Sequence, residues 1–79
     1  MRFTMLYFAS LRDAAGCAQE TVSSEAREPR ALYAEAAARY GFKMPLERIR
    51  VAVNGAFAPQ DCMLKDGDEV AFLPPVSGG

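Results

Sequence analysis

The chain has no histidine, no tryptophan and only two cysteines among its 79 residues. Without an imidazole the commonest side chain for acid–base work near neutral pH is missing, and neither a Cys-His nucleophile pair nor a histidine-bearing zinc site can be assembled. Cys17 and Cys62 lie 45 positions apart, so their expected role is that of small apolar residues in or beside a core. An excess of either charge is lacking too: nine Lys plus Arg stand against ten Asp plus Glu, a net charge of −1. That removes the basic stripe needed to hold a phosphate backbone, and no nucleic-acid partner is expected. No apolar run approaches the roughly 18–20 residues that span a bilayer, and Met1-Arg2 leads straight into an alternating segment rather than a signal-peptide pattern. The expectation is a cytoplasmic protein with no membrane partner and no self-contained active site.

What is present is the composition of a compact domain, 51% hydrophobic and 24% charged. Seventy-nine residues make one domain with a thin stability margin, because so short a chain buries only about 60–65% of its unfolded surface. Arg2 to Phe8 (RFTMLYF) alternates so that Phe3, Met5 and Tyr7 share the core face, leaving Leu6 and Phe8 on the other. Ala9 to Gly16 reads as a loop with one or two helical turns before a second strand near Ala18 to Val22, giving a wide-looped hairpin. Glu28-Pro29 opens the one convincing helix, with proline at its first position and acidic residues at its positive end, and Gly41 closes it after Tyr40. Leu32, Ala36 and Tyr40, flanked by Tyr33 and Ala37, form a single apolar stripe suited to one sheet face.

Ile49 to Val53 alternates again, and Asn54-Gly55 is a strong hairpin signal into a short optional strand at Ala56 to Ala58. A second tight turn, Leu64 to Asp68, precedes Glu69 to Leu73, where alternation sends Val70 and Phe72 inward and Ala71 and Leu73 outward. One helix and four or five strands in this order make a two-layer α+β sandwich, a mixed four- to five-stranded sheet with one main helix packed on one face. The ubiquitin-like β-grasp, with the first and last strands parallel neighbours, is the compact arrangement that fits.

Residues 1–73 thus read as the folded domain and residues 74–79 as an extended tail. Pro74-Pro75 cannot continue a ladder and favours polyproline II, so Pro74, Pro75, Val76, Ser77, Gly78 and Gly79 could reach roughly 20 Å outward. Gly78 and Gly79 have no Cβ and suit a narrow channel. The group left to react is the Gly79 α-carboxylate, a poor electrophile that needs activation as an acyl-adenylate by a separate ATP-using enzyme. A sulfide-like nucleophile would then give a terminal thiocarboxylate.

Three stretches, LYFASLRDAAG (Leu6 to Gly16), VAVNG (Val51 to Gly55) and LKDGDEVAFLPPVSGG (Leu64 to Gly79), resemble the MoaD family of ubiquitin-like sulfur carriers, the small subunits of molybdopterin synthases. The resemblance implies a protein co-substrate of molybdenum cofactor biosynthesis. An E1-like, MoeB-like enzyme would adenylate Gly79 with ATP, sulfur would be installed, and the tail would deliver it to cyclic pyranopterin monophosphate in the active site of a MoaE-like large subunit. It implies a heterotetramer with the large-subunit dimer and no permanently bound cofactor. The family's interface positions fall here on Phe8, Phe57 and Leu73, with Arg12 at its arginine position. Related Gly-Gly carriers of thiamine or tRNA thiolation, and ubiquitin-like modifiers joined to lysines, share the tail chemistry and remain the alternatives.

Overall fold

A computed structural model of the chain describes residues 1–75. Strand β1 (Arg2–Tyr7) is followed by helix α1 (Ala9–Ala15), strand β2 (Gln19–Ser23), helix α2 (Pro29–Tyr40), a 3-10 turn at Leu46–Arg48, and strands β3 (Arg50–Val53), β4 (Ala56–Ala58) and β5 (Glu69–Leu73). The five strands form one sheet in the order β2-β1-β5-β3-β4. Its centre is the parallel β1–β5 pair, in register from Thr4↔Glu69 to Tyr7↔Phe72, and every other pairing is antiparallel.

Period-2 patterning decides which face of each strand is buried. Phe3, Met5 and Tyr7 of β1 and Val70 and Phe72 of β5 are at most 1% exposed, and they meet Leu32, Tyr33 and Ala36 from α2. The helix begins as expected with Pro29 at its first position, but its first turn carries no acidic residue. Glu28 instead occupies the extended N-cap position and its carboxylate accepts from Arg30 Nε at 2.8 Å. Gly41 ends the helix at φ +72, donating its N–H to the Ala37 carbonyl at 2.8 Å, a left-handed geometry suited to glycine.

Tyr7, Tyr33, Tyr40, Phe42 and Phe72 form a linked aromatic group with ring centroids 5.5 to 6.5 Å apart, within the range where edge and offset contacts add to burial. Two of its three hydroxyls converge on one carboxylate, while Tyr33 Oη donates to the Met44 carbonyl at 2.6 Å. Glu20 accepts from Tyr7 Oη at 2.6 Å and from Tyr40 Oη at 2.7 Å, satisfying hydroxyls that would otherwise be stranded between sheet and helix. Burial first, and then this bond, push the Tyr7 phenol far above its ordinary range.

Two local expectations are sharpened. The helical turns expected in the Ala9 to Gly16 segment form one seven-residue helix, Ala9–Ala15, whose Leu11, 2% exposed, has a place in the main core. Ala71 points outward in register but is only 8% exposed, since Leu6 and Ala52 flank it directly on the two neighbouring strands. The optional strand β4 is present, and the second strand runs to Ser23. Cys17 and Cys62 are free and half-buried against the core.

Candidate docking face and tail exit

The face of the sheet turned away from α2 carries the candidate site. Cross-strand register lines up Leu6, Ala71, Ala52 and Phe57 in one row over four strands. The next row toward the end of β5 pairs Leu73 with Arg50, and Phe8 follows one residue beyond the last β1–β5 step, Tyr7↔Phe72. At the opposite end of the face the row is polar, with Thr4 beside Glu69. The outward surface therefore grades from polar to apolar in the direction in which the chain leaves β5.

Two aromatic rings stand open on this end, Phe57 at 65% exposure and Phe8 at 43%. Leu73 and Pro74 are half-buried and Pro75 is exposed. Large side chains this open, gathered on one face of so small a domain, mark an interaction surface more often than an accident of folding. Phe8 stays outside because it is the N-cap of α1, in extended conformation, while the helix turns Leu11 inward. The turn is made by Ala9 at φ +51, a left-handed conformation that a residue with a Cβ adopts only at a penalty of roughly 1–2 kcal/mol.

Arg12 sits one turn along α1, its N–H directed to the Phe8 carbonyl at 3.4 Å and its carbonyl accepting from Gly16, with its side chain exposed. It lies on the helix that Phe8 caps but belongs to neither strand row. Of the expected site residues the fold brings Phe8, Phe57 and Leu73 to one face and Pro74 and Pro75 to its edge. Val76, Ser77, Gly78 and Gly79 lie outside the described residues.

Sequence reasoning passed over Arg50. Its guanidinium carbon lies 4.5 Å from the centroid of the Phe57 ring, and its backbone pairs with Leu73, so it links two of the expected interface positions. Alternation with Ile49 and Val51 was enough to turn it outward; the β3–β4 pairing brings it to Phe57 and the β3–β5 pairing to Leu73.

Among the described residues no group of three or more His, Cys, Asp or Glu is placed to hold a metal ion, and no helix is long and apolar enough to cross a membrane. Burial raises the Cys62 thiol above its usual range, the opposite of what an activated thiolate needs. A pocket of about 470 Å³ lies between α1 and the segment after α2, lined by Leu11, Phe42, Met44 and Pro45 with Lys43 and Arg48 at its polar side.

An open five-stranded mixed sheet, parallel at its centre and covered on one face by a main helix, defines a ubiquitin-like β-grasp protein. The chain belongs to the ThiS family, whose model matches residues 5–79. It is 36% identical to the "Molybdopterin synthase sulfur carrier subunit" of Escherichia coli over 95% of this chain and 96% of that one. Among solved structures it resembles the "Putative molybdopterin converting factor, subunit 1" of Pyrococcus furiosus, with a TM-score of 0.78 and 32% identity over 96% of this chain and 99% of that one. It also resembles a chain of the complex of subunits 1 and 2 of the molybdopterin-converting factor of Helicobacter pylori, with a TM-score of 0.68, 26% identity and full coverage of both chains.

Proposed function

We propose that this protein is the sulfur-carrier subunit of a molybdopterin synthase and that its reactive group is the Gly79 carboxylate. The observation that carries the reading is the family match, which runs through the tail to residue 79. The name borne by the 36% identical relative favours this member of the family over carriers serving thiamine or tRNA thiolation.

The chemistry follows from what the chain lacks. With no histidine, catalysis is left to partners, and this chain supplies a carboxylate, a slim tail and a docking face. Attack of a Gly79 carboxylate oxygen on the α-phosphorus of ATP, in the site of an E1-like adenylating enzyme, expels pyrophosphate and leaves a mixed anhydride. Sulfide, HS⁻, then attacks the acyl carbon, AMP leaves, and loss of the sulfur-bound proton gives the thiocarboxylate. Docked on the large subunit through Phe8, Phe57 and Leu73, with Arg12 beside them, the carrier passes Pro74 to Gly79 into the partner's active site, where sulfur goes to cyclic pyranopterin monophosphate. A complex of subunits 1 and 2 of the Helicobacter pylori factor supports a large-subunit partner. The heterotetrameric assembly, the cytoplasmic location and the absence of a resident cofactor belong to the same proposal.

The test is the intact mass of the protein after incubation with an adenylating enzyme of this pathway, ATP and a sulfur source. A gain equal to the difference between one sulfur and one oxygen atom, located on Gly79 by fragmentation, is the expected result. An unchanged mass under conditions that load a known carrier would sink the proposal. Covalent attachment to lysines of other proteins would point to a modifier instead.

A further inference from the structure

Along the apolar end of the outward sheet face, Leu6, Ala71, Ala52, Phe57 and Leu73 are joined by a single charged side chain among the described strand residues, Arg50. Its guanidinium lies over the Phe57 ring at 4.5 Å. The ion pairs of the described residues are Arg30–Glu28 and Arg39–Glu20, and none of their side-chain hydrogen bonds uses Arg50 as a donor. The attraction of the cation to the ring leaves its N–H donors without an oxygen acceptor. A cation held this way is organised before a partner arrives and keeps its hydrogen-bonding capacity for one.

We infer that Arg50 is a specificity element of the docking face, fitting a partner that sets a carboxylate beside its own apolar side chains, at the base of the tail. The inference rests on the docking reading above and adds to it the charge of the matching surface. The polar requirement follows from desolvation: an apolar partner covering Phe57 and Leu73 would strip water from the guanidinium without replacing it, whereas a carboxylate in bidentate contact restores the lost hydrogen bonds. Partners of similar shape but without that acid are thereby rejected.

The experiment measures binding of the full chain to the purified large subunit of the same organism's molybdopterin synthase, by calorimetry, at about 0.1 and 1 M salt, where screening lengths are about 10 and 3 Å. Wild type is expected to weaken at the higher salt. Arg50→Gln should bind at least ~10-fold more weakly at the lower salt and lose most of the salt dependence, and Arg50→Glu should be weaker still. Arg50→Lys, which keeps the charge but not the bidentate guanidinium fork, should fall between wild type and Arg50→Gln. Wild-type affinity and salt dependence in Arg50→Gln, with Phe57→Asp still impaired, would overturn the role of Arg50 and leave the docking face standing. Loss of affinity in Arg50→Gln without any salt dependence in wild type would overturn the carboxylate. Failure of wild type to bind the large subunit at all would overturn the docking reading and this inference together.

Discussion

Asn54 and Asp68 are joined side chain to side chain, Asn54 Nδ2 donating to Asp68 Oδ1 at 2.9 Å. The bond ties the β3–β4 turn to the turn that precedes β5. The same Asn54 accepts from the Glu69 N–H at 2.9 Å, and its own N–H donates to the Glu69 carbonyl at 2.8 Å. Asn54 and Gly55 also stand at φ +52 and +86, the two positive angles of a tight hairpin turn. Asn54→Gly keeps that backbone and deletes the side-chain bonds, so it should destabilise by about 1 kcal/mol. Asn54→Ala adds left-handed strain of roughly 1–2 kcal/mol. Chemical denaturation of the two variants separates the contributions, and equal losses would refute a role for the turn geometry.

Asp68 gives this junction a pH dependence. The Lys65 N–H, which donates to Asp68 Oδ2 at 2.8 Å, and then the Asn54 amide hold its carboxyl below the ordinary carboxylate range. The stabilisation is therefore complete above the unfolded value of about 3.9 and is lost as pH falls through the lower folded value. In urea melts the stability gap between wild type and Asp68→Asn should narrow from neutral pH toward pH ~3. A gap that widens on acidification would contradict the geometry.

The two hydroxyls on Glu20 predict behaviour at the alkaline end. Burial and the Glu20 bond raise Tyr7, the Glu20 bond raises Tyr40, and burial raises Tyr33. Because the folded values lie above the unfolded one, the phenols stabilise fully below pH ~10 and the benefit drains away as pH rises beyond it. An ultraviolet titration of the native protein should show tyrosinate appearing later than in the urea-unfolded chain. Glu20→Ala leaves the Tyr7 hydroxyl without its acceptor and should destabilise by about 1–3 kcal/mol, while Glu20→Gln, which keeps an oxygen there, should lose less.

Ala9 offers a gain. At φ +51 its Cβ is strained, and Ala9→Gly relieves the strain at the expense of a more flexible unfolded chain. The net expectation is a stabilisation of about 0.5–1 kcal/mol in thermal or chemical melts. Destabilisation would show that the turn into α1 is not strained.

The docking face and the tail are separable in the proposed scheme. Phe57→Asp or Leu73→Asp should weaken binding to the large subunit by more than ~2 kcal/mol if these are anchors. Removal of Gly79 should abolish sulfur loading. Wild-type affinity in both Asp variants would remove the face from the mechanism without touching the tail chemistry.

Much of the fold was legible because its signals are local. Alternation places Phe3, Met5 and Tyr7 on one face whatever their partners, proline and glycine punctuate α2 at Pro29 and Gly41, and Asn54-Gly55 demands a two-residue turn. The outward positions of Leu6, Phe8 and Leu73 follow from the same period. Less legible were features created by residues distant in sequence. The helical turns of Ala9 to Gly16 were expected, but the place of Leu11 in the core was not, because strands remote in sequence form that core. Glu20 reads as an ordinary strand carboxylate until Tyr7 and Tyr40 converge on it.

By itself, then, the sequence determined the elements and the inward face of each strand, since these depend on residue type and short-range periodicity. Tertiary structure alone decided which outward residues become neighbours. Only the pairing of β5 with both β1 and β3 shelters Ala71 between Leu6 and Ala52 and seats Leu73 opposite Arg50, whose guanidinium the β3–β4 hairpin has already brought to Phe57. The physical reason is that hydrogen-bonded register between distant strands, and not the period within any one of them, fixes contacts across a sheet.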